Sequence, residues 1–174
     1  YIQSVPLFEL DFDSACELLD VENTRRGFEK NLSHEDCKEL YEIVGGVPLA
    51  IKLIAAQLHL RSFEAILEGF RQARGSIDEV YRYLYWETWQ LLGDPARKLL
   101  LTFLPADPEG ENLAFLQMMS GQEEEAFYLT LRELDRFSLL ETARDEQALR
   151  VRLHRLTVTF LQTNILSTWD KNEA

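Results

Sequence analysis

Arg150, Arg152 and His154 recur at every second position of LRVRLH, residues 149–154. That period is a strand's. It sends Leu149, Val151 and Leu153 to one face and the two arginines and the histidine to the other. Guanidinium and imidazole are natural partners of phosphate and carboxylate oxygens, so this face reads as an anion site or as a solvated basic surface. The remaining histidines, His34 and His59, lie far from it in sequence, with no metal-ligand spacing. Cys16 and Cys37 are the only cysteines. They read as small core residues and give neither a disulfide framework nor a zinc cluster, usage that fits a reducing, cytoplasmic compartment. No Gly-rich loop ends in Lys-Ser/Thr, no serine elbow is present, and no sequence logic pairs a cysteine with a histidine or two carboxylates in a pocket. These residues alone are not expected to form an enzyme.

The elements that must position such residues are mostly helical. Residues 1–10, YIQSVPLFEL, read as an extended exit from a preceding domain, because Pro6 cannot donate to a central strand. Asp11 or Asp13 caps a helix with Ala15, Leu18 and Leu19 at helical spacing, and a connector around Gly27 spans Asn23 to Asn31. Ser33 starts the next helix, with Asp36 in the reach-back position of a capping box where Glu or Gln is usual, and Cys37, Leu40, Tyr41 and Val44 on its apolar face. Gly45-Gly46 stops it. Val47 is held extended by Pro48, and Pro48 opens a helix that is apolar almost all round from Leu49 to about Leu60. A further helix covers Phe63 to Ala73. Residues 11–76 are thus expected to form a helical bundle domain, closed by a break at Gly75-Ser76.

Residues 77–170 are expected to form a second domain. Ile77 to Leu92 is a helix with an aromatic stripe of Tyr81, Tyr83, Tyr85, Trp86 and Trp89, read as packing rather than a ligand cage. Asp94 caps a helix beginning at Pro95 and reaching Leu104, with Pro105 and Pro108 ending it. Helices follow at Asn112 to Met119 and Glu123 to Phe137, separated by the Ser120-Gly121 turn. The period then changes to two, giving strands at 139–142 and 149–154 joined by the ARDEQA loop, and a last helix runs from Leu156 to about Thr168. Three helices followed by a hairpin is the winged-helix order. The fold class expected is therefore mainly α, a helical bundle followed by a winged helix with a small β-hairpin.

Charge narrows the partners. The chain of 174 residues is 46% apolar, enough for a packed core, and carries a formal net charge of −12. Residues 1–48 hold 11 acids against 4 bases and residues 91–138 hold 9 against 4, so the acids concentrate in two helical blocks. A chain this acidic is not expected at an anionic membrane surface or as a general phosphate neutraliser. No apolar run approaches the ~18 residues of a membrane span. DNA binding by the winged helix is the alternative function, but its second helix opens Gln122-Glu123-Glu124-Glu125, and Arg132 and Arg136 come too late to offset those charges.

Two motifs resemble one family. Gly46-Val47-Pro48-Leu49-Ala50, inside YEIVGGVPLAIKLIAAQL, is similar to the GLPL-type motif of NB-ARC signalling ATPases, the STAND class. Leu153-His154-Arg155, inside VRLHRLTVTFL, is similar to their MHD motif at the end of the winged helix. Roughly 105 residues separate the two, which suits one helical domain plus one winged helix. SVPLFELDFDSACELL resembles the segment leaving the nucleotide-binding domain, so the resemblance covers almost the whole chain. It implies a segment of a signal-transduction ATPase whose P-loop domain precedes Tyr1 and is its partner in cis. The nucleotide-binding residues it implies are Gly46, Pro48, Leu49 and His154, with Pro48 packing on adenine and His154 on the β-phosphate of ADP. The nucleotide, ADP or ATP with magnesium supplied through the P-loop domain, would not be held tightly by this segment alone. Closure over ADP would keep the protein inactive, and exchange for ATP would permit homo-oligomerisation. The third motif position is Arg155 rather than the family's Asp, so an acid cannot play its family role here.

Overall fold

A computed structural model of the chain describes residues 9–28, 32–73, 77–107, 109–144 and 149–167. It is mainly helical with a small three-stranded antiparallel sheet. It divides into two compact units, Tyr1–Leu84 and Tyr85–Ala174. The expected exit segment (apart from Glu9 and Leu10), the Gly75-Ser76 break, the stop at Pro108, most of the ARDEQA loop and residues 168–170 lie outside the described residues.

In the first unit, Asp11 caps α1 (Phe12–Arg25) by accepting the Ser14 N–H at 2.8 Å. That hydrogen bond holds the Asp11 carboxyl below the ordinary value for its type. The helix runs past Asn23, where the connector was expected to begin, because Glu22 is buried against the Arg26 guanidinium and Arg26 also bonds the Glu22 carbonyl at 2.9 Å. In α2 (His34–Val44) the capping box forms with Asp36 in place of Glu, Ser33 and Asp36 exchanging bonds of 3.2 and 3.1 Å. Helix α3 (Pro48–Leu58) is the centre of this unit. Leu53, Ala55 and Gln57 are fully buried and Ala50, Ile54 and Ala56 nearly so. It ends at Leu58, short of the expected Leu60, and Leu60 is exposed. Ser62 caps α4 (Phe63–Gln72).

The division between the units falls inside α5 (Ile77–Leu91), later than the break expected at Gly75-Ser76. On its first-unit side, the Tyr83 ring lies where a side chain on Gly69 would stand, edge-on to Phe70, and the Leu84 carbonyl accepts the buried Gln57 amide at 3.1 Å. On its second-unit side, Tyr85 stacks on Phe160 with 5.3 Å between ring centroids, and its hydroxyl meets that of Thr157 at 3.3 Å. Tyr83 and Tyr85 are therefore packing, and Trp86, though exposed, lies edge-on to Phe160.

Helix α6 (Asp94–Thr102) starts one residue earlier than expected. Gly93 is its cap, its N–H satisfied by Glu133 at 2.8 Å, and Asp94 is the first helical residue. A two-residue strand, β1 (Glu111–Asn112), precedes α7 (Leu113–Ser120), and Asn112 caps that helix at 2.8 Å. Gly121, at φ 64°, turns the chain as expected. Glu123 caps α8 (Glu124–Arg136) by position. Strands β2 (Leu140–Arg144) and β3 (Leu149–Leu153) pair with Leu140 opposite Leu153 and Glu141 opposite Arg152. β1 adds to the other edge of β3, giving the order β1-β3-β2. This third strand was not expected, because two residues are too few to show a period. The final helix is α9 (Arg155–Phe160), which widens into a π-helical segment at Leu161–Leu166.

Candidate functional site

The first group of candidate residues is a turn made by backbone. Val47 is extended (φ −79°, ψ 112°), as a residue before proline must be, and Pro48 follows as the first residue of α3, exposed to solvent. Leu49 is half-buried and Gly46 is buried. Gly46 is glycine for a steric reason. A Cβ there would stand 1.8 Å from the Leu10 carbonyl oxygen, and the Leu10 N–H bonds the Gly46 carbonyl at 2.8 Å. The Tyr41 hydroxyl donates to the same Leu10 carbonyl at 3.0 Å. Gly45, with φ 63°, ends α2, and the Glu9 carboxylate lies 3.0 Å from where its Cβ would be. Nearby Tyr81 has its phenol pushed up to about 12 by burial, helped by the Glu9 charge. The turn thus holds Leu10 against Gly46, and Pro48 is its most exposed residue.

The second group sits at the end of β3. Alternation holds for buried Val151 and Leu153, with Arg150, Arg152 and His154 off that face. It fails at Leu149, expected on the core face but 43% exposed at the loop end of the hairpin, opposite Arg144. Arg150 is committed to the sheet, donating to the Gly110 carbonyl at 3.1 Å. Arg152 pairs with Glu141 across the strands at 2.9 Å. His154 is the N-cap of α9. Its Nδ1 accepts the Leu156 N–H at 3.2 Å, so in the neutral ring the proton rides on Nε2, which lies 3.7 Å from Glu141 Oε1.

Arg152, His154 and Glu141, though not Arg150, line an open cavity of about 590 Å³, a volume in the range of small-molecule sites. Phe103, Leu104 and Val158 supply apolar wall, while Glu141, Arg152, His154 and Arg155 supply charge and hydrogen-bonding edges. Sequence reasoning found His154 but missed Glu141 and the apolar wall. The signal for Glu141 was the hairpin register, which places it opposite Arg152. No sequence signal brings Phe103 or Leu104 to this place.

The two cysteines lie in the first unit and are not among the residues lining that cavity. Cys37 is buried and its thiol is pushed up to about 12 by desolvation, and burial also raises half-buried Cys16. Both line a small apolar cavity with Leu19, Leu40 and Ile54. Among the described residues no group of three or more His, Cys, Asp or Glu is arranged to hold a metal, and no helix is long and apolar enough to cross a membrane. Comparison of the chain with family models and with curated proteins gives no match.

Proposed function

We propose that this chain is the regulatory, ADP/ATP-sensing part of a STAND-class signalling ATPase, working with a P-loop domain that precedes it. The observation that carries the reading is the state of His154. The Leu156 N–H occupies Nδ1, which fixes Nε2 as the donor edge of a ring lining an open cavity with Arg152 and Arg155. A donor fixed in this way suits a phosphate oxygen, because no tautomer change is needed on binding. Supporting it, Pro48 is exposed at the start of a buried helix, as a ring meant to pack on a base must be. The element order α6, β1, α7, α8, β2, β3, with sheet order β1-β3-β2, supports the winged-helix reading of the second unit.

In this reading the P-loop domain supplies most phosphate contacts and the magnesium site, so the 174-residue chain by itself neither hydrolyses ATP nor holds it tightly. His154 favours the ADP-bound, closed state, and its loss shifts the population toward the open, self-associating state. Light scattering on the P-loop-bearing protein tests this. With ADP bound, a His154→Ala variant should self-associate more readily than the parent; unchanged self-association opposes the reading. The competing reading, a DNA-binding winged helix, meets a row of exposed carboxylates at Glu123, Glu124 and Glu125, where the groove-facing turn of α8 would lie. Gel shift with random duplex at ~0.15 M salt should show no retention.

A further inference from the structure

The cavity beside His154 holds more positive charge than a single histidine contact uses. Arg155 is the next residue, it lines the same cavity, and it is exposed. Among the described residues no carboxylate pairs with it, whereas Arg152 is held by Glu141 at 2.9 Å. Asp107, the other carboxylate of the lining, is turned toward its own loop, accepting the Glu109 N–H at 2.9 Å. Arg155 is therefore the uncommitted cation of the site.

Two consecutive residues thus offer one cavity a ring N–H and a planar guanidinium. A guanidinium can bind two oxygens in parallel while a ring N–H takes a third. A phosphate group offers such oxygens, and a diphosphate offers them on two linked centres. We propose that Arg155 contacts the phosphates of a bound diphosphate together with His154, so that the unit Tyr85–Ala174 carries a diphosphate site of its own. The ligand class rests on the nucleotide reading of His154. The added residue is one that the motif's usual acid could not supply.

Glu141 opposes the site. Its carboxylate lies 3.7 Å from His154 and holds Arg152, so an arriving anion is repelled by it and must compete with it. Removing the Glu141 charge should strengthen binding and removing the Arg155 charge should weaken it. A purely structural role for these residues would not give opposite signs.

The test is a titration of the 174-residue chain with sodium pyrophosphate, without divalent metal, followed by the backbone amide NMR shifts of residues 153–157, a probe that every variant retains. Saturable binding is expected with a dissociation constant on the order of millimolar, as suits a few exposed charge-assisted contacts. Arg155→Gln should weaken it roughly two- to fivefold and Glu141→Gln should tighten it by a similar factor. Raising salt to ~0.3 M should weaken it. Far-UV circular dichroism checks that each variant keeps its helices. Absence of saturation by ~20 mM, or equal affinity of Arg155→Gln and the parent chain, overturns the proposal. Neither result touches the His154 reading, which is tested on the P-loop-bearing protein. Pyrophosphate binding lost in His154→Asn but unchanged in Arg155→Gln likewise overturns the role of Arg155 and leaves His154 in place.

Discussion

The turn at Gly45–Pro48 and the end of β3 at Arg152–Arg155 are each set by a few consecutive residues, but they are built from different materials. The turn is backbone against backbone, with Gly46 pressed on Leu10 and the proline ring left outside. The strand end is held by side chains, Arg152 on Glu141 and the His154 ring on the Leu156 backbone N–H. Packed backbone cannot yield, so a change in the first should cost folding. Partly exposed side chains can re-solvate, so a change in the second should cost little stability and act on ligand binding instead.

Gly46→Ala presses hardest on that contrast. The new methyl would meet the Leu10 oxygen at 1.8 Å and its nitrogen at 2.5 Å, and relief requires breaking the Leu10–Gly46 bond. A loss of about 3 kcal/mol is expected in urea unfolding. A change under ~0.5 kcal/mol would show that the entering chain is not clamped there.

Gly69→Ala sharpens the same point with a side chain as the obstacle. Its methyl would meet the Tyr83 hydroxyl at 1.8 Å, but that ring can swing away at the expense of its 3.1 Å bond from Arg61 and its contact with Phe70. The expected loss is about 1.5 kcal/mol. A loss matching that of Gly46→Ala would mean that the obstacle's kind does not matter.

At the strand end the effects on folding shrink. His154→Ala removes the cap of α9 and should cost about 0.5–1 kcal/mol. His154→Asn keeps a capping oxygen and should melt like the parent chain. Equal losses in both would place the histidine's worth in packing rather than in its cap.

The smallest effect belongs to Asp11. Its folded carboxyl is held below the ordinary value of an aspartate by the Ser14 N–H, so its contribution is present above that ordinary value and fades as pH falls through the folded one. Asp11→Asn, which keeps the cap but cannot titrate, should flatten that part of the acid limb in a pH series of urea midpoints. An unchanged limb would remove Asp11 from the account.

The two regions also differ in how far the sequence disclosed them. Val47-Pro48 and the apolar run after it dictate an extended residue followed by a buried helix, because the constraints act on adjacent residues. The reason for Gly46 was hidden, since its obstacle is Leu10, 36 positions earlier. Alternation located His154, but the Glu141 pairing needs the register, and the Phe103–Leu104 wall needs the tertiary fold. β1 was invisible because its two residues form a strand only by pairing with β3. α1 extends past Asn23 with the Glu22–Arg26 pair across its last turn, and Gly27, at φ 74°, turns the chain just beyond it.

The central claim, that His154 holds ADP in the closed state, is tested most directly by the rate of ADP release from the P-loop-bearing protein. Stopped-flow chase of a fluorescent ADP analogue from the parent and from His154→Asn isolates the Nε2 donor, since the cap of α9 is kept. A charge-assisted hydrogen bond worth roughly 1.5–3 kcal/mol predicts about 10- to 150-fold faster release in the variant, with melting of the 174-residue chain unchanged. Equal release rates would contradict the account and return His154 to its role as a helix cap.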